Sequence, residues 1–305
     1  MLYPPDGDIS RRNIATVKGT GGRISIGDIK NLIEKEFGSG IRDAVPLSGG
    51  CLADLQLVRL ESGVSVVLKQ GDNLLCEAGM LKYLRDHTAL PLPKVHYSGE
   101  DCIVMEYLPG KAGTPAGQAQ DHLAKLVAGL HSISQDHFGF EHDTVIGPLG
   151  QPNMDSDDWC VFFRDRRLVH MADLARRNGH LPEDVYRRIM TLADRLERYL
   201  GHRPPVSLLH GDLWGGNILS EKGRVTGVID PAIYFGDAEV ELAFMTLFGT
   251  AGQRFFEIYG EYRPIDPGFF ATRKDIYLLY PLLVHVRLFG GGYVGQVDEI
   301  LKKYL

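Results

Sequence analysis

The feature that most narrows what this chain can fold into is the string LLHGDLWGGNILSEKGRVTGVID at residues 208–230. An apolar run (Val206, Leu208, Leu209) leads into His210-Gly211-Asp212, and Asn217 follows five residues after Asp212. Two further apolar runs, Ile218-Leu219 and Val225 to Ile229, flank a Glu221-Lys222-Gly223 turn, and the second ends on Asp230. Short apolar runs bounded by Gly, Asn and Asp read as strands joined by turns. The expected layout is a loop, a short hairpin, and an acidic residue at the hairpin's mouth.

That spacing suits phosphoryl transfer. The reaction needs a carboxylate to orient the attacking hydroxyl and accept its proton, and oxygen ligands to hold Mg²⁺ against nucleotide phosphates. Mg²⁺ takes one or two carboxylates plus amide, water and phosphate oxygens. Asp212 is the expected base, and Asn217 and Asp230 the expected metal ligands. A lone Asp-x4-Asn is more often a capped turn; the whole string is far more specific.

Composition bounds the alternatives. At 305 residues the chain is long enough for about two domains or lobes. Its 44% hydrophobic and 24% charged residues are those of an ordinary globular protein. The 33 basic and 39 acidic residues leave a net charge of −6 with no basic stripe, so no nucleic-acid partner is expected. MLYPPDGDIS lacks the basic start and apolar stretch of a secretory signal, and no run is long enough to span a bilayer. Cys51, Cys76, Cys102 and Cys160 lie far apart without C-x-x-C spacing, which argues against zinc or a disulfide framework. The reading is a cytoplasmic protein with reduced thiols and no membrane partner.

Along the chain, residues 1–27 read as a loosely attached extension. Ile29, Leu32, Ile33 and Phe37 then recur at helical spacing. Leu55, Leu57 and Arg59, a Glu61-Ser62-Gly63 turn and Val64 to Lys69 form a strand hairpin. Gly49-Gly50 ahead of it would let backbone N–H groups approach phosphate oxygens, because glycine has no Cβ to block them. Lys69 ends the strand VSVVLK, and a following helix, capped by Asp72 or Asn73 and running to about Asp86, carries Glu77 as its expected ion-pair partner. In protein kinases such a pair sets the lysine on the nucleotide phosphates. Met105 to Leu108 exits a strand into Pro109-Gly110, where the backbone of Glu106 and Leu108 would meet adenine. Beyond Gly110 the pattern is mainly helical, including one helix expected over Glu183 to Leu200. Trp159, Phe162 and Phe163 are either core or the wall of a pocket. Cys51, in the glycine-rich loop beside Lys69, is either a packed thiol or a reactive one with a depressed pKa.

Together these pieces resemble the fructosamine kinases, or ketosamine-3-kinases, relatives of aminoglycoside phosphotransferases and choline kinases. The resemblance covers roughly residues 28–305. It rests on SGGC (48–51), VVLK (66–69), VMEYL (104–108), FGF (138–140), QPN (151–153), DWCVFFRDRRL (158–168), LLHGDLWGGN (208–217), DPAIYFGDAEVELA (230–243) and LFGGGY (288–293). It implies an α+β, two-lobed protein-kinase-like fold. A small antiparallel-sheet lobe with one key helix (28–109) would bind nucleotide, and a larger helical lobe (110–305) would hold the catalytic loop and substrate pocket. It also implies ATP and Mg²⁺ as cofactors and transfer of phosphate to the 3-hydroxyl of ketosamines, the adducts of amines with glucose or ribose. The unstable 3-phosphate eliminates and frees the amine.

Carried over by resemblance, Lys69 is the phosphate-binding lysine with Glu77 its partner, Asp212 the base, and Asn217 and Asp230 the metal ligands. His210 is then the loop's scaffold histidine, and Trp214 a platform for sugar or amine. Cysteines at the position of Cys51 are associated in the family with redox control and disulfide-linked dimers; without that the expectation is a monomer. The substrate would be a small ketosamine or glycated lysine, free or on a protein. One departure is Leu52-Ala53-Asp54, where the family has an apolar residue and then Asn or Ser; backbone N–H groups would then cradle the phosphates alone. The alternatives are a kinase for another hydroxylated amine, such as an aminoglycoside or amino alcohol, and an inactive nucleotide-binding module.

Overall fold

The computed structural model describes residues 26–47 and 54–305. The expected extension therefore lies outside the described residues except for its last two, as do Gly49, Gly50 and Cys51.

Helix α1 (Ile26–Phe37) precedes a five-stranded antiparallel sheet formed by β1 (Ile41–Pro46), β2 (Asp54–Leu60), β3 (Ser65–Gln70), β4 (Val95–Ser98) and β5 (Cys102–Glu106). The spatial order is β1-β2-β3-β5-β4, with β3 in the centre. Successive side chains on a strand point to opposite faces. Val66 and Leu68 on β3 accordingly join Ile29 and Ile33 of α1 in a small core with Val58, Leu60, Cys102 and Val104. Val67 packs on the other face against the main core, and Lys69, two residues on, points the same way.

That second face is covered by α2 (Leu74–His87), which buries Leu74, Ala78, Met80, Leu81 and Leu84. Leu75 is 50% exposed because it lies about a third of a turn off that stripe. Asn73 occupies the N-cap in a left-handed conformation, but its side chain makes no capping bond.

The helical body follows. After the two-residue strand β6 (Lys111–Ala112) come α3 (Gln118–His131) and the hairpin β7 (Thr144–Ile146) and β8 (Leu149–Gln151). The short α4 (Trp159–Phe162) continues through a π-helical stretch, Phe163–Val169, into α5 (His170–Arg177). Trp159, Phe162 and Phe163 are all buried, and the Trp159 Nε1–H donates to the Tyr277 hydroxyl at 2.7 Å. These aromatics are core, not pocket wall. The helix expected over Glu183 to Leu200 is two, α6 (Glu183–Ala193) and α7 (Glu197–Leu200). Tight bonds from Arg195 N–H to Leu192 and from Leu196 N–H to Ala193 turn the chain between them.

Strand β9 (Val206–Leu209) pairs with β12 (Tyr234–Asp237), while β10 (Ile218–Glu221) and β11 (Arg224–Val228) form the expected hairpin, with β6 on its edge. Helices α8 (Ala238–Leu247), α9 (Gln253–Tyr262), α10 (Lys274–Phe289) and α11 (Val294–Tyr304) complete the chain. No helix among the described residues is long and apolar enough to cross a membrane. Cys76, Cys102 and Cys160 are free, and burial raises the pKa of each thiol.

Ile33 is fully buried between α1 and the sheet. Truncating it leaves a cavity, so Ile33→Ala is expected to lower unfolding stability by about 2–5 kcal/mol. A guanidinium titration monitored by tryptophan fluorescence measures this; an unchanged midpoint would mean that α1 is not part of the cooperative fold.

Candidate active site

Two backbone junctions bring the distant pieces of the string together. β9 ends at Leu209 and β12 begins at Tyr234, opposite it in register. The loops after β9 and before β12 therefore lie side by side, joined by the Ala232 N–H to the His210 carbonyl at 2.7 Å. The hairpin closes with Ile218 opposite Val228, and the Ile229 N–H donates to the Asn217 carbonyl at 3.0 Å. Asp212, Asn217 and Asp230 thus converge at one mouth. Gly211 has φ +85°, and a Cβ there would run into the Ala232 carbonyl, so only glycine allows this approach.

The sheet brings in Lys69. Its ammonium lies 2.7 Å from both carboxylate oxygens of Glu77 and 2.7 Å from Asp230 Oδ1. Burial favours the neutral amine, but the charges of Asp230 and Glu77 outweigh it and raise the Lys69 pKa above its ordinary value. Lys69 and Glu77 are buried, while the Asp230 side chain is 38% exposed. Asp230 holds φ +55°, unusual for a residue with a Cβ.

On the catalytic loop, Asn217 Nδ2 donates to both the backbone carbonyl and Oδ2 of Asp212, each at 2.9 Å. This leaves the Asn217 amide oxygen without a hydrogen-bond donor among the described residues, and the same holds for Oδ2 of Asp230. Two unengaged hard oxygens at one mouth fit a small divalent cation. Burial, reinforced by the charge of Asp230, pushes the Asp212 carboxyl up to about 7, with the Asn217 hydrogen bond pulling the other way. A carboxylate with a pKa near neutrality is matched to general-base work.

His210 is fully buried, and burial lowers its pKa. Its Nδ1 accepts from the Asp212 N–H at 3.3 Å. That bond holds the loop backbone at Asp212. Trp214 is 37% exposed with Phe248 at 5.7 Å between ring centroids. Gly216 leaves room for its indole, which a Cβ there would strike. Of the two expected hinge groups, the Glu106 N–H is already committed to the Lys94 carbonyl at 2.8 Å because β4 pairs alongside. The Leu108 N–H makes no hydrogen bond among the described residues, so of the two it alone offers a backbone donor.

Glu241 was not among the residues singled out in the sequence, yet it anchors the loop. It accepts from the Gly211 N–H at 2.7 Å, the His210 N–H at 3.3 Å and His131 Nε2 at 3.0 Å. Asp237 caps α8 by accepting from the Glu239 N–H at 2.9 Å, which fixes the helix that carries Glu241. Asp237, His202 and Glu239 form a second acidic cluster. Its carboxylates are already taken, by Tyr277 at 2.6 Å and by Arg273 at 2.5 and 2.7 Å.

A five-stranded sheet with a buried Lys–Glu pair, set on a helical body with an Asp/Asn loop and a second Asp, defines a protein-kinase-like phosphotransferase. The profile of the fructosamine kinase family matches residues 26–305. A probable ketoamine kinase of Synechocystis is 37% identical over 223 residues, covering 71% of this chain and 72% of the relative. One of Vibrio parahaemolyticus is 32% identical over 278 residues, covering 87% and 93%. The crystal structure of a candidate fructosamine-3-kinase from Thermobifida fusca superposes with a TM-score of 0.81 at 27% identity, covering 91% of this chain and 98% of that one. A mutant aminoglycoside phosphotransferase crystallised with ADP and hygromycin B shares the fold, with a TM-score of 0.67 at 18% identity over 90% of this chain and 98% of that one. The chain belongs to the fructosamine kinase family, and is an ATP-dependent phosphotransferase.

Burial would raise the Glu241 carboxyl, but His131 and the loop N–H groups hold it below its ordinary value. A depressed folded pKa stabilises the fold above the unfolded value of about 4.3, and that stability is lost as pH falls through the folded pKa. Glu241→Gln is therefore expected to be less stable than wild type by on the order of 1.5–3 kcal/mol at pH 7. The gap should stay constant to about pH 5 and narrow at pH 3.5. Urea titrations at these pH values measure it; a gap that widens in acid would contradict the assignment.

Proposed function

We propose that this chain phosphorylates the 3-hydroxyl of the sugar-derived part of ketosamines, using Mg²⁺ and ATP, as a step that frees the glycated amine. The observation that carries the reading is the convergence of Asp212, Asn217, Asp230 and Lys69 at one mouth beside exposed Trp214. Asp212 accepts the proton of the attacking hydroxyl as its oxygen bonds to the γ-phosphorus and the bond to the bridging oxygen of ADP breaks. Lys69, oriented by Glu77, holds the nucleotide phosphates. The Asn217 amide oxygen and Asp230 would hold Mg²⁺, which neutralises phosphate charge when bound. Adenine would take its hydrogen bond from the Leu108 N–H, between a sheet lobe ending near residue 109 and the helical lobe beyond.

The amine side of the substrate has a candidate surface. Trp214 begins an aromatic row that continues through Phe248, His285 and Tyr293, with Phe289 also against His285. Trp214 and Phe248 are each 37% exposed and Phe289 is 52% exposed. Aromatic faces attract ammonium groups, and a ketosamine amine protonated at neutral pH would be held there. The reading places the enzyme in the cytoplasm, where glycated lysines are exposed as small molecules or on proteins.

An ADP-release assay with Mg·ATP, offering fructose-lysine and ribulose-lysine side by side, is expected to show turnover on at least one. Asp212→Asn should lower kcat by about 10²–10⁴ while ATP still binds, and Trp214→Ala should raise KM for the ketosamine more than it lowers kcat. A folded, ATP-binding protein that turns over neither compound would overturn the reading and direct testing to aminoglycosides and amino alcohols.

A further inference from the structure

The Gln151-Pro152-Asn153 motif and the basic run ending at Leu168 play no part in the chemistry above. A chain of buried hydrogen bonds nevertheless ties them to it. Gln151 Nε2 donates to the Ala232 carbonyl at 2.9 Å and to Thr144 Oγ1 at 2.8 Å, and Gln151 Oε1 accepts from the Tyr280 hydroxyl at 2.7 Å. The Thr144 hydroxyl donates to the Ile233 carbonyl at 3.1 Å and accepts from Asn153 Nδ2 at 2.8 Å. Asn153 Oδ1 in turn accepts from the Arg167 guanidinium at 2.7 Å. Arg167 is fully buried, donates to the Pro152 and Arg166 carbonyls at 2.7 and 3.0 Å, and stacks 3.9 Å from the centre of the Tyr234 ring. It has no carboxylate partner among the described residues.

Burying a cation with only carbonyls, an amide and aromatic rings around it is a poor route to stability; an apolar side chain of similar shape does as well or better. What such a network provides is fixed geometry. Both carbonyls it grips, Ala232 and Ile233, lie two and three residues after Asp230, whose φ is +55°. On the opposite side the same segment is held by the Ala232 N–H on the His210 carbonyl. The left-handed turn at Asp230 is thus clamped between the catalytic loop and the buried network.

We propose that Gln151 and Thr144, oriented by Asn153 and Arg167, are positioning residues that hold Asp230 in this conformation and so set the affinity for the metal. The inference rests on Asp230 being a metal ligand, as in the reading above. Outer groups that orient a metal ligand typically change metal affinity about 10–100-fold when lost.

The test is binding of Mn²⁺ in the presence of ADP, followed by the paramagnetic resonance signal of free Mn²⁺, with metal-free ADP binding and the melting temperature measured alongside. Gln151→Leu and Thr144→Val are expected to weaken Mn²⁺ binding about tenfold with metal-free ADP affinity unchanged. Thr144→Ser, which keeps the hydroxyl, should restore it. A lowered melting temperature with wild-type Mn²⁺ affinity would overturn the inference and leave the network a purely structural one. Where Gln151→Leu fails to fold, the Thr144→Val and Thr144→Ser pair decides. Failure of the wild-type protein itself to bind Mn²⁺ with ADP would sink the assignment of Asp230, and the inference with it; equal binding by wild type and variants sinks the inference alone.

Discussion

The structure depends on one buried ammonium. Lys69 draws together the central strand of the sheet, the helix that carries Glu77, and the turn that carries Asp230. Removing an ammonium from water costs several kcal/mol, and only close, well-aligned carboxylates offset it. Two carboxylates around one cation leave a net negative charge at the mouth. On the proposed reading, nucleotide binding is then an exchange of partners: phosphate oxygens approach Lys69 as the cation takes up the charge of Asp230. The Glu77 and Asp230 carboxylates keep Lys69 aimed at the mouth.

Beneath that triad the backbone of the loop is held by buried side chains and one close backbone contact. Glu241 grips two consecutive N–H groups, His210 holds the N–H of Asp212, and the Gly211 backbone packs against the Ala232 carbonyl. A helix cap at Asp237 sets where Glu241 stands. Asp212, the base on the proposed reading, is therefore located by a series of buried, directional bonds, the kind of preorganisation that catalysis by orientation requires.

Much of this was legible in the sequence because the relevant signals are local. Lys69 ends the strand VSVVLK, and the helix that follows it offered Glu77. Gly and Asp marked the turns of the 208–230 string. What escaped was long-range. A glutamate in the apolar helix Ala238–Leu247 is a visible anomaly, but its partners lie about 30 and 110 positions away. That a neighbouring strand claims the Glu106 N–H does not follow from its own sequence either. The break between Ala193 and Glu197 follows from tight local bonds in a segment whose apolar spacing still reads as one helix. The exposure of Trp214 depends on the clearance at Gly216 and on Phe248, thirty-four positions on.

The backbone at Asp230 has a consequence for how such a protein could change over evolutionary time. Left-handed φ is adopted routinely by Gly, occasionally by Asn and Asp, and rarely by other residues. A drift from Asp to Asn there would keep a residue that tolerates this turn while removing one of the two carboxylates that offset the burial of Lys69. On the proposed reading, one substitution at this position would act at once on the metal site and on the ion pairs that hold Lys69, so the two could not change independently.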